Sequence, residues 1–295
     1  MSKKNKIIVT GGAGFVGTNL IKFFLKNTKY KILSIDNYSS GTKSNHIKNS
    51  RIKYVNDKTV NIEKLIKKPS EIKSLFHFGE FARIYQSFLK MNDCLDSNTI
   101  GSNAVFNFCL KNKIKLIYSA TSASLGNKGK DKNLSPYAFS KSKNLELLEN
   151  LKKWFNFKYE VIYFYNVYGP HQISRGHMST VIGIFEDHYK KGKALPVVKP
   201  GTQTRRFTHI DDTINICFLA WKKNLCRHYS IAHKKSYSLI DVAKMFNSNI
   251  KFLPKRLGER YASSLTDKTL SNKMYKYFGK ISLKNYINDF ISRNN

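Results

Sequence analysis

Two hydrophobic periods take turns along the first 168 residues. Short β-branched runs at 6–10, 31–35, 52–55, 74–78, 114–119 and 160–165 read as strands, and amphipathic stretches between them read as helices. The clearest helices are expected at 15–25, 93–110 and 136–154, the last opened by Pro136, whose missing N–H costs nothing in a first turn. Strand and helix in strict alternation predict an α/β fold with a parallel, doubly wound sheet. After Gly169-Pro170 the pattern breaks into Pro, Gly and polar turns through Gly201, then an amphipathic stretch at 207–221 returns. The predicted layout is a nucleotide-binding domain over 1–168 with a return segment at 205–233. A smaller C-terminal α/β lobe would be built from 169–204 and 234–295.

The first strand, Ile7-Ile8-Val9, runs into Thr10-Gly11-Gly12-Ala13-Gly14-Phe15-Val16-Gly17. This is the strand, tight turn and helix of a Rossmann-type dinucleotide site. Gly11 permits the turn, Gly14 lets the main chain approach a pyrophosphate at the helix N-terminus, and Gly17 lets helix and strand pack closely. The second strand ends in Asp36-Asn37, nineteen residues after Gly17. A carboxylate there bonds the adenine ribose hydroxyls and repels a 2′-phosphate, which favours NAD over NADP.

The chain has 295 residues, enough for a substantial core, and a formal net charge of +33. Clustered basic residues would signal nucleic acid. Here only nine of the 52 basic residues are Arg, and the lysines are scattered over nearly every predicted helix and loop, so no specific nucleic-acid partner is expected. No apolar run reaches membrane-span length, and the first strand begins almost at once, so a cytoplasmic protein without a signal peptide is expected. Cys94, Cys109, Cys217 and Cys226 show neither metal-ligand nor CxxC spacing. They read as reduced, buried fillers, and no metal is expected.

Tyr137 and Lys141, four apart on a predicted helix, project from one face. An ammonium nearby, with the positive nicotinamide ring of bound NAD, would bring the phenol down toward neutrality and make it a base. Ser119-Ala120-Thr121-Ser122-Ala123-Ser124 follows a parallel strand at the end where ligands sit, and a hydroxyl there could stabilise charge on a reacting oxygen.

Taken with these motifs, nearly the whole chain resembles the extended short-chain dehydrogenases of the NAD-dependent epimerase/dehydratase family, and nucleotide-sugar epimerases in particular. The resemblance also rests on Asp57, His77-Phe78-Gly79-Glu80, Asn98, Asn166-Val167-Tyr168-Gly169-Pro170, Arg205-Arg206-Phe207-Thr208-His209-Ile210-Asp211-Asp212 and Lys255-Arg256-Leu257-Gly258-Glu259. It implies Thr121, Tyr137 and Lys141 as catalytic residues. Gly11, Gly14, Phe15, Val16, Gly17, Asp36, Asn37, Asp57, Phe78, Gly79 and Asn98 would join Tyr137 and Lys141 in holding NAD. Ser87, Thr121 and Asn166 would face the sugar, and Arg205 and Arg256 the diphosphate. A homodimer through the two long helices, and a setting in polysaccharide assembly, are implied as well.

The chain departs from the family pattern at several points. Gly79-Glu80 replaces two small residues, Tyr163 and Arg206 replace the usual Arg and Asp, Leu125 replaces a Tyr, and the span from Thr121 to Tyr137 is short. Ser122-Ala123 stands where family dehydratases carry an Asp-Glu pair and decarboxylases a Glu. Without that acid and base, elimination is disfavoured against oxidation and return of hydride. The expectation is an NAD-dependent C4 epimerase of a nucleotide sugar, UDP-hexose first. A reductase, dehydrogenase or 4,6-dehydratase on the same scaffold, and a non-catalytic NAD- or RNA-binding protein, remain open.

Overall fold

Ile7 and Val9 of strand β1 (Lys6–Thr10) enter one apolar core while Ile8 enters another, as a strand buried on both faces requires. The computed structural model describes residues 4–125, 133–223, 225, 227–259, 261 and 274–294. Cys226 and residues 126–132 of the short Thr121–Tyr137 span lie outside them.

Strands β2 (Lys31–Asp36), β3 (Ile52–Asn56), β4 (Ile72–His77), β5 (Lys115–Thr121) and β6 (Tyr159–Phe164) join β1 in one sheet. Its order is Met274–Phe278, His228–Ala232, β6, β5, β4, β1, β2, β3, and every pairing is parallel. This is the doubly wound α/β sheet expected. Winding reverses between β1 and β4, so a crevice opens at their C-terminal ends.

One face packs against helix α1 (Phe15–Asn27) and the helix Ile210–Lys223, with Leu20, Ile21, Phe24, Ile214 and Cys217 in the core. The other packs against Ser102–Lys111 and Pro136–Phe155 through Val105, Phe106, Cys109, Leu145 and Leu148. Lys115 ties the layers together. It donates to the carbonyls of Ala220 and Trp221 at 3.0 and 2.9 Å, closing the end of Ile210–Lys223, and pairs with buried Glu160 at 3.1 Å. A third core holds Tyr168, Phe185, Leu195, Phe207, Val242, Phe246 and Ile287, on elements that follow β6.

Two expectations change. The helix foreseen at 93–110 is three pieces: Met91–Leu95, a π-helical turn Asp96–Gly101, and Ser102–Lys111. The lobe foreseen over 234–295 loses Met274–Phe278 to the edge of the main sheet. That strand pairs with His228–Ala232, and Tyr275 and Tyr277 stack on buried Tyr229, so aromatic burial outweighs sequence distance.

Candidate active site

The turn after β1 is shaped by close backbone approach. Gly11 has φ +70°, and a Cβ on it would lie 2.8 Å from the Gly79 nitrogen. A Cβ on Gly17 would lie 2.1 Å from the Gly11 carbonyl oxygen. Helix α1 begins at an extended Gly14 with no side-chain cap and no acidic residue in its first turn. Its first N–H groups therefore suit an anion, the chemistry a pyrophosphate offers.

At the end of β2, Asp36 accepts the Ala13 N–H at 2.9 Å and the Tyr38 N–H at 2.8 Å. Burial raises its pKa and these backbone donors pull it back down. Asp57 accepts from Asn61 and Lys58 at 2.8 and 2.7 Å, which hold its carboxyl below the usual range. A cavity of about 580 Å³ runs along the sheet's crevice, lined by Gly11, Gly14, Phe15, Val16, Gly17, Asp36, Asn37, Asp57, Phe78 and Gly79 together with Tyr137 and Lys141. Uncapped donors at one point and a carboxylate placed for a ribose at another fit a dinucleotide.

Ser135 caps the helix Pro136–Phe155, its Oγ accepting the Ala138 N–H at 3.1 Å. Tyr137 thus sits in the first turn and Lys141 one turn on, both buried and both on the cavity wall. The Tyr137 phenol faces Thr121 at the end of β5, near enough for the Thr121 side chain to favour its ionised form. Burial pushes this phenol up to about 12, the Thr121 side chain opposes the rise, Glu80 adds to it and Arg83 opposes it. Lys141 alone does not bring the phenol down; the expected fall toward neutrality needs the positive ring of bound NAD as well. The ammonium is spent on Glu80, with which it forms a buried ion pair, and on the Ser119 carbonyl at 2.5 Å.

The other expected residues separate. Asn98 is buried in the π-helical turn, where it accepts the Phe81 N–H at 2.7 Å and donates to the Phe81 carbonyl at 3.0 Å; it braces the segment after β4 from behind the cavity. Ser87 is buried, donates to the Ile84 carbonyl at 2.6 Å and accepts the Tyr137 N–H at 3.2 Å, so it fastens Tyr137. Asn166 donates to the Arg206 carbonyl at 2.9 Å. Arg205 is ion-paired with Glu259, and Arg256 lies 5.2 Å over the Tyr85 ring. None of Asn98, Ser87, Asn166, Arg205 or Arg256 lines the cavity, and Thr121 reaches it through Tyr137.

The NAD dependent epimerase/dehydratase family model matches residues 7–232, spanning the glycine turn, Tyr137 and most of the sheet. The chain belongs to this family. NAD is the cofactor that membership brings, and the cradle described above fits it. As an epimerase/dehydratase family member, the chain is 27% identical over 254 residues to a putative UDP-glucose 4-epimerase of Methanocaldococcus jannaschii, covering 81% of each. It is 26% identical to the ADP-L-glycero-D-manno-heptose-6-epimerase of Brachyspira hyodysenteriae, covering 81% of this chain and 79% of that one. Among solved structures it is similar to the UDP-glucuronic acid 4-epimerase of Bacillus cereus in complex with UDP-glucuronic acid and NAD. That likeness has 26% identity and a TM-score of 0.84, and covers 98% of this chain and 99% of that one.

This family member also carries cavity residues that sequence reasoning left aside. Glu80 and Arg83 flank Tyr137 on the segment after β4, and Gln86, Lys90 and His177 extend the wall. Glu80 had a signal, an ionisable group where small residues are usual. Arg83 had none; its side chain is placed by carbonyls of Ala82, Met178 and Ser179, two of them 95 or more residues away. No helix among the described residues is long and apolar enough to cross a membrane.

Proposed function

We propose that this chain is an NAD-dependent nucleotide-sugar epimerase that inverts C4 of a hexose carried on a nucleoside diphosphate, a UDP-hexose first among candidates. One observation carries the reading. Tyr137, beside Thr121 and one turn from Lys141, lines the same cavity as the glycine turn and Asp36, and no carboxylate follows Thr121 at Ser122 or Ala123.

When bound, NAD supplies the acceptor for hydride and its return. Tyr137 takes the proton of the C4 hydroxyl and gives it back to the 4-keto sugar after that sugar has presented its other face. Thr121, donating to the reacting oxygen, stabilises the charge that builds there. Asp36 holds the adenosine ribose, and the first N–H groups of α1 hold the pyrophosphate. Arg205 and Arg256 remain our candidates for the substrate diphosphate, with Arg205 exchanging Glu259 for phosphate oxygens. Asn166 is kept as a sugar contact; Ser87 is reassigned to holding Tyr137.

The test is proton NMR of UDP-, GDP-, CDP- and dTDP-hexoses incubated with the protein and NAD. We expect one sugar to give its C4 isomer without net NADH, and Tyr137→Phe to slow this about 10²–10⁴-fold, the usual worth of a positioned acid–base group. Failure of every sugar to isomerise, or stoichiometric NADH, refutes the epimerase. A homodimer is part of the proposal. Ile100 on one side and Phe139 and Trp154 on the other stand exposed within 93–110 and 136–154, the stretches expected to pair, and sedimentation equilibrium giving one-chain mass would remove it.

A further inference from the structure

A dense, buried polar cluster surrounds Glu80, a residue to which neither the family pattern nor the proposed reaction gives a task. Its side chain is buried, and its carboxylate receives four donors. Lys141 Nζ sits on Oε2, while Ser102 Oγ at 2.8 Å, the Tyr118 hydroxyl at 3.0 Å and Asn144 Nδ2 at 3.3 Å converge on Oε1.

The bonds behind this cluster fix its polarity. A carboxylate only accepts, so Ser102 spends its single proton on Glu80 and must receive from His77 Nε2, 2.9 Å away. His77 is then protonated on Nε2 alone, and its Nδ1 accepts from Thr10 Oγ1 at 2.7 Å. Thr10 Oγ1 accepts in turn from the N–H groups of Phe78 and Gly79 at 3.1 and 3.0 Å. Burial holds His77 down at about 4, which keeps it neutral as this arrangement needs. A one-way chain of donors thus runs from the glycine turn at β1 and ends on the Glu80 carboxylate.

We propose that Glu80 is a positioning residue that holds Lys141 by its ammonium and cancels that charge, so that Tyr137 is made a base by the positive ring of oxidised cofactor and not by the lysine. Four donors pin the anion and the Ser119 carbonyl pins the cation, so neither is free to swing toward the phenol. The other charged or titratable groups facing Tyr137 and Lys141 are Arg83 after β4, His77 at its end, Cys94 on Met91–Leu95 and Tyr118 on β5. Of these Arg83 is the one cation, and it has not offset burial at Tyr137. The consequence is a site that stays inert toward hydroxyls until oxidised cofactor is seated, which suits an enzyme that must return every hydride it removes.

This inference rests on Tyr137 as the base of the proposed reaction, but its test does not need turnover. The Tyr137 ring carbon bearing oxygen, labelled with ¹³C and assigned by its loss in Tyr137→Phe, reports phenolate directly between pH 5 and 10. In wild-type protein we expect ionisation of Tyr137 with saturating NAD, and none up to pH 10 without cofactor or with NADH. With NAD present, Glu80→Gln should lower the midpoint by about one to three units, the usual effect of removing a neighbouring charge. Lys141→Met should raise it, and the double variant Glu80→Gln/Lys141→Met should return to within about half a unit of wild type, because it deletes a cancelled pair.

A residue that merely supports the fold would lower the melting temperature of the variants without this ordered set of shifts. An unmoved or raised midpoint in Glu80→Gln overturns the proposal, as does a double variant far from wild type. The double variant leaves no unpaired buried ion, and the wild-type comparison needs no variant at all. If the titrations follow the expected order while no sugar isomerises, the epimerase reading fails and the role of Glu80 stands.

Discussion

Asp36 places one carboxylate on the cavity wall with both oxygens already engaged by backbone N–H groups, so it cannot turn away from a 2′-phosphate. Asp36→Asn should weaken NAD binding about tenfold or more and narrow the preference against NADP, the loss expected when a charged hydrogen bond goes. Isothermal titration of both cofactors checks this, and an unchanged ratio refutes the assignment. His77 makes a pH prediction. Its folded pKa is about 4 against 6.5 when unfolded, so below pH 6.5 the unfolded chain takes up a proton that the folded one refuses. Stability therefore falls as pH drops from 6.5, by roughly 3 kcal/mol once pH 4 is reached. His228, also held at about 4, adds to the slope. Melting temperatures of His77→Asn should fall less steeply over that window than those of wild type; equal slopes would remove His77 from the account. Residues such as Gly11 and Asp36 were legible because backbone approach and ribose chemistry allow few alternatives at those positions. The task of Glu80 was not, since it lies in four partners that sit 22 to 64 residues away on β5 and two helices.

At the scale of elements, the turn, helix α1 and the helix Pro136–Phe155 carry the site, and each has one replaceable contact. Adding a methyl group at Gly17 drives it into the Gly11 carbonyl, where backbone rather than a flexible side chain must yield. Gly17→Ala should cost about 1–3 kcal/mol as overpacking does, and should also weaken NAD binding, because the displaced turn holds the helix donors. Thermal melts with and without NAD separate the two losses. Ser135→Ala removes the cap of the helix that presents Tyr137 and should cost about 1 kcal/mol. A melting temperature equal to wild type would show the cap to be idle. The six strands and two of the long helices were legible from period alone. The π-helical turn Asp96–Gly101 was not, because its apolar spacing still reads as a helix; what diverts it is Asn98 reaching back to both backbone groups of Phe81. Nor was Met274–Phe278, whose place in the sheet is set by partners more than 40 residues earlier.

Over the whole molecule, 52 basic against 19 acidic side chains surround a substrate and a cofactor that are both anionic by the proposed reading. Such a field speeds the arrival of any polyanion without choosing among them. The lysines are spread along the chain and only nine basic residues are Arg, so phosphate recognition by forked donors is scarce and screening should dominate. The chain should therefore be held by heparin at about 0.02 M salt and released by about 0.3 M, where the screening length has shrunk to several ångströms. Unrelated RNA oligonucleotides of equal length should compete equally across that range. Nucleotide-sugar turnover at fixed, subsaturating substrate should fall over the same interval while turnover at saturation holds, because salt acts on encounter and leaves the buried Tyr137, Lys141 and Glu80 untouched. An RNA that stays bound at 0.3 M salt in preference to its scrambled sequence would mean that the charge is organised into a surface for nucleic acid, and the field would then have a partner of its own.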